Sequence, residues 1–134
     1  MRILMTAVIC GIAAATAGPA AAKDLKLTRN AMSDVDSLLA YERAWDKDCK
    51  ALPSVVTVTE QPKNGTVSVV QTTGMIPART LESGSSGDCA GKIVIGNQVR
   101  YKSNPGFRGT DRVSYDVVTN NQPAGSKAIT IVVK

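Results

Sequence analysis

The chain has 134 residues, 16 Lys+Arg against 11 Asp+Glu, three Cys and no His. Lacking His, it has neither the commonest general base nor the commonest metal-binding side chain. Its modest positive charge favours anionic partners weakly and falls short of the clustered basic face that nucleic-acid binding requires.

Residues 1–22, MRILMTAVICGIAAATAGPAAA, read as a cleaved signal peptide. Arg2 supplies the positive start, an apolar run follows, and Ala20-Ala21-Ala22 offers the small residues of a cleavage site. Ile9 precedes Cys10 where lipid attachment would want a small residue, so Cys10 reads as part of the apolar run. Removing this leader leaves 15 basic against 11 acidic residues, a charge of +4. The mature chain contains no second hydrophobic segment and is expected to be soluble and periplasmic or secreted. Two cysteines remain, Cys49 and Cys89, and an even count in an exported chain predicts one disulfide. Three regions result: the leader at 1–22, an N-terminal segment at 23–52 that packs on or extends the fold, and a core domain at 53–134.

Residues 23–36 predict a partly ordered leader or edge strand. In 37–48, Leu38, Tyr41 and Trp45 recur at helical spacing, while Leu39, Tyr41, Arg43 and Trp45 fit a two-residue repeat; helix is the local favourite. Ser54–Thr59 and Thr66–Gln71 are β-branched runs around a turn containing Asn64-Gly65. They predict a hairpin, with Val56 and Val58 opposite Val67 and Val69. Met75-Ile76-Pro77 reads as a short edge piece, and 82–91 as a loop tethered by Cys89. Strands follow at 92–95, 98–102, 111–119 and 126–133, with breakers at Gly96-Asn97, Asn104-Pro105-Gly106, Gly109 and 120–125. About seven short strands at this spacing predict an all-β antiparallel sandwich.

The order Tyr101, Pro105, Phe107, Gly109, Thr110, Asp111, Val113, Tyr115, Val117 resembles the closing half of bacterial Ig-like and cadherin-like domains, F-x-G-T-D-x-V-x-Y-x-V. Pro62, Gly65, Thr66 and Val67 resemble their P-x-x-G-T-V opening. Pro105 departs from the usual spacing, lying only two residues before Phe107. The resemblance covers roughly 53–134 and implies a β-sandwich with a structural corner: Phe107 plugging the core, Gly109 reversing the chain, Asp111 accepting backbone N–H groups and Tyr115 as the corner tyrosine. Val117 stands where antibody domains have a Cys, so a Cys49–Cys89 bond would not be their inter-sheet bridge.

Arg100, Lys102, Arg108 and Arg112 crowd one corner of the predicted fold as a possible anion site, weighed against a wetted sheet face. Asp46 and Asp48, like Asp34 and Asp36, are weak Ca²⁺ candidates weighed against polar turns. Tyr41 and Trp45 read as either a sugar-stacking pair or core. The sequence calls for no cofactor. The function expected is non-catalytic: an envelope module binding another protein. The alternatives are an anionic glycan or lipid binder acting through the basic corner and a small secreted enzyme inhibitor.

Overall fold

A computed structural model describes residues 24–81 and 84–134. The leader assigned to 1–22 lies outside the described residues. Among the described residues eleven strands are formed, in chain order: β1 (Leu25–Ala31), β2 (Ser37–Glu42), β3 (Ala44–Trp45), β4 (Ala51–Leu52), β5 (Ser54–Glu60), β6 (Gly65–Met75), β7 (Arg79–Thr80), β8 (Gly84–Ser85), β9 (Ile93–Ser103), β10 (Gly109–Thr119) and β11 (Gln122–Val133). Seven of them build a two-layer sandwich. One sheet has the order β1-β11-β10-β5 and the other β2-β9-β6. The short strands pair as β3-β4 and β7-β8.

Side chains alternate between the faces of a strand, so every second residue reaches the space between the sheets. Val99 and Tyr101 of β9, Val113, Tyr115 and Val117 of β10, and Ile129, Ile131 and Val133 of β11 fill it. All are buried, and each contributes about 1.5–3 kcal/mol through removal from water. β10 and β11 join through Asn120-Asn121, both at positive φ (49° and 61°), which gives a two-residue hairpin turn.

The segment before residue 53 belongs to the sandwich itself: β1 supplies an edge strand to one sheet and β2 an edge strand to the other. β1 runs parallel to β11, with Leu25 opposite Lys127 and Ala31 opposite Val133, so that sheet is mixed rather than wholly antiparallel. Residues 37–42 and 44–45 are strand, not helix. The register of β2 against β9 slips between Leu38 and Ala40, and the extra residue, Leu39, turns into the core at 2% exposure. That bulge breaks the two-residue period and leaves the segment looking partly helical in sequence.

The expected hairpin between 54–59 and 66–71 does not form. β5 pairs with β10, β6 pairs with β9, and the turn between them carries the chain from one sheet to the other. Val56, Val58 and Val67 all pack on the main core, Val56 and Val58 from one layer and Val67 from the other. The break expected at Gly96-Asn97 is also absent, because β9 runs unbroken from Ile93 to Ser103. Gly96 serves close approach: a Cβ there would lie 2.6 Å from the Glu42 carbonyl oxygen. Met75 ends β6, while Ile76 is fully buried in a second, smaller core.

That second core sits on the outer face of the three-stranded sheet. Val94 points outward from β9 and is covered by Ile76 and Cys89, with Trp45 and Cys49 packed around them. Cys49 and Cys89 are disulfide-bonded across 40 residues of chain, with their Cα atoms 5.2 Å apart.

Candidate functional site

The corner motif is a clasp built around Asp111. One carboxylate oxygen accepts the backbone N–H groups of Lys63 and Arg112, each at 2.9 Å. The other accepts the Asn64 N–H at 2.9 Å and the Tyr101 hydroxyl at 2.8 Å. Burial works to raise the Asp111 pKa, but these four bonds outweigh it and hold the carboxyl below its usual value. Burial, then the hydrogen bond and charge of Asp111, push the Tyr101 phenol far above the ordinary tyrosine value. Gly65 is needed because a side chain there would run into the Tyr101 ring and lie 2.6 Å from the Lys102 carbonyl oxygen. Phe107 packs half-buried on the end of the main core, and Gly109 takes a φ of 132°.

Tyr115 does not close this corner. It is fully buried in the core, and its hydroxyl donates 2.6 Å to Glu42, away from the clasp. The tyrosine hydroxyl that reaches the turn belongs to Tyr101, the first member of the motif. Glu42 also receives the Lys127 ammonium at 2.7 and 2.9 Å, which links β2 of one sheet to β11 of the other.

The four basic residues do not form one corner. Arg100 and Lys102 alternate with inward Val99 and Tyr101 and so leave the outer face of the three-stranded sheet. Arg112 alternates with Asp111 and Val113 and leaves the outer face of the other sheet. Arg100 bonds Asp36 at 2.8 Å, Lys102 lies 3.9 Å from Asp34, and Arg112 lies 3.2 Å from Glu60. Arg108 is exposed in the turn before β10. Three of the four are thus neutralised locally, on two opposite faces.

Of the acidic candidates, Asp36 and Asp34 meet Arg100 and Lys102, and Asp46 folds its own turn. One Asp46 oxygen accepts the N–H groups of Asp48 (2.8 Å) and Lys50 (3.0 Å), shaping the turn that presents Cys49. Among the described residues, no three His, Cys, Asp or Glu groups converge as a metal site would require. Tyr41 and Trp45 are both half-buried and both line one cleft. The Tyr41 hydroxyl bonds the Thr72 carbonyl oxygen at 2.8 Å, with its ring lying on Gly74 and Gly96, while Trp45 packs at the small core.

Sequence inspection did not single out the free edge of β6. This 11-residue strand, GTVSVVQTTGM, carries no charge and no proline, and among the described residues it pairs only with β9. By contrast, edge strand β1 carries Lys26 and Arg29, β2 ends on Glu42 and β5 ends on Glu60. Val70 stands 43% exposed on β6. Met75 pairs with Ile93, and Ile95 lies two residues further along the same face of β9. These three are 60%, 62% and 45% exposed and form an apolar patch beside the open edge. The signal was present in 66–71 as a charge-free β-branched run, but the assumed hairpin partner concealed it.

The chain matches no protein-family model, no curated protein and no solved structure.

Proposed function

We propose that the protein is a non-catalytic binding module of the cell envelope that holds an extended segment of a partner protein against β6. The reading rests on one observation: β6 is a long open edge with no charge or proline to guard it, beside the patch of Met75, Ile93 and Ile95. Natural sheets normally blunt such an edge with charge, proline or a covering element. An added strand would satisfy the outward N–H and C=O groups of β6, and alternate side chains of that strand would cover the apolar patch. The signal peptide read from the sequence supports a location outside the cytoplasm, where a disulfide is stable.

The test is a photo-crosslinking residue at Val70 in cells, with a second at exposed Ser126 on the other sheet as reference. The expected result is one protein adduct from position 70, absent from position 126, surviving a high-salt wash and abolished when Val69 is changed to Lys. Slower hydrogen exchange in the β6 amides of the isolated complex would identify strand addition. Equal adducts from both positions, or no protection of β6, would overturn the proposal. An adduct of twice the chain mass would assign the edge to a second copy of the chain.

A further inference from the structure

A cleft of about 620 Å³ opens on the opposite side of the sandwich, between edge strands β1 and β2 and beneath the segment around Pro77 and Leu81. Its volume lies within the range of small-ligand sites. Leu25 and Leu27 line one wall, and Ala40, Ala44 and Trp45 another. Strand addition at β6 makes no use of this space.

Three cationic residues line the cleft: Arg29, Arg43 and Lys127. Lys127 is matched by Glu42. Arg29 donates to two backbone carbonyls, those of Leu39 and Thr28, each at 3.1 Å. The guanidinium carbon of Arg43 lies 4.4 Å from the centre of the Tyr41 ring, which fixes its direction. Its Nε is buried and has no hydrogen-bond partner among the described residues. Among those residues, no carboxylate pairs with Arg29 or Arg43. Two guanidinium groups without a carboxylate partner therefore line a cleft whose walls are partly apolar, where charge is less well solvated than in open water.

We infer that the cleft binds a single-chain anionic amphiphile, whose carboxylate or sulfate meets Arg43 and Arg29 while its hydrocarbon chain lies along the Leu25–Leu27 wall. The acid head offsets the charge of two guanidinium groups that no carboxylate pairs with among the described residues, and the chain displaces water from the Leu25–Leu27 wall. A neutral head would leave both charges uncompensated, and a cationic head would be repelled. A free fatty acid and an acyl chain presented by a membrane share this chemistry.

Trp45 is the chain's one tryptophan and lines the cleft, so its emission reports occupancy. The experiment titrates the disulfide-bonded protein with dodecanoate below its micellar concentration, following Trp45 emission and heat. Dodecyltrimethylammonium, dodecanol and phosphatidylglycerol vesicles are run in parallel. The expected result is a saturable response to dodecanoate, at least tenfold weaker binding of dodecanol and none of the ammonium. Arg43→Gln should weaken dodecanoate binding at least tenfold, Arg43→Lys should retain most of it, and Arg108→Gln should leave it unchanged. Equal binding of all three head groups by the unaltered protein overturns the inference, even if Arg43→Gln fails to fold. Binding to vesicles without binding of monomeric dodecanoate also overturns it, moving the contact to the membrane surface.

Discussion

Asp111 receives four hydrogen bonds, three from backbone N–H groups and one from a phenol, and its neighbours in sequence supply only one of them. A carboxylate fits because every group aimed at it is a donor. In Asp111→Asn, either orientation of the amide turns an NH₂ toward two donors, with an expected cost of about 3 kcal/mol in urea unfolding at neutral pH. The pH dependence has a definite sign. The folded pKa of Asp111 is lowered, so its stabilisation is complete above the unfolded value, about 3.9, and is lost as pH falls through the folded value. The stability gap between the two proteins should therefore be constant above about pH 5 and narrow in stronger acid. A gap that widens on acidification would contradict the clasp. The Asp and Gly of this corner were legible in the sequence, because turn chemistry is local. The identity of the closing tyrosine was not. Tyr101 and Tyr115 stand at equivalent inward positions of neighbouring segments, and only tertiary contacts distinguish them: Gly65 and Asp111 meet Tyr101, while Glu42 meets Tyr115.

Among the elements, β10 over 111–119 and β11 over 126–133 were readable because inward apolar residues alternate there, whereas 122–125, read as a breaker, belongs to β11 and carries a bulge at Ala124. β2 was not, because the bulge at Leu39 places Leu39 and Glu42 inside the fold at a spacing that no regular strand has. The buried Glu42 makes β2 a joint between the layers, accepting from Tyr115 of β10 and Lys127 of β11. A buried ion pair contributes little net stability relative to apolar residues, but removing one partner leaves a charge that nothing compensates. Lys127→Met is expected to cost about 3 kcal/mol, with the Glu42 carboxylate left to one neutral donor. Glu42→Met combined with Lys127→Met should recover most of that loss, because neither charge remains buried. Urea midpoints of the single and double variants check this; a double variant less stable than the single one would show that the pair is a net stabiliser.

For the whole molecule, a layered β fold followed from the number and spacing of apolar alternations, but the assignment of strands to layers did not. Neighbouring runs such as 54–59 and 66–71 carry the same pattern whether they pair side by side or face each other across a core. Nor did the sequence announce that the chain has two cores. β9 divides them, with Val99 and Tyr101 inside the sandwich and Val94 under the disulfide-bonded cover. The outer core has three buried residues, too few to hold the segments around 46–52 and 76–92 without a covalent tie. Closing a loop of this length stabilises by about 4 kcal/mol in the chain-entropy model. With the disulfide intact, Trp45 emission, which senses the outer core, and far-UV ellipticity, which senses the sheets, should report one coincident urea transition. In the double variant Cys49→Ser and Cys89→Ser, the Trp45 transition should move down by about 2 M urea, taking a slope near 2 kcal/mol per molar. The ellipticity transition should follow it at higher urea, because the sandwich core remains closed. If both signals fall together in that variant, the outer core and the sandwich are one cooperative unit, and the disulfide stabilises the whole fold rather than its cover.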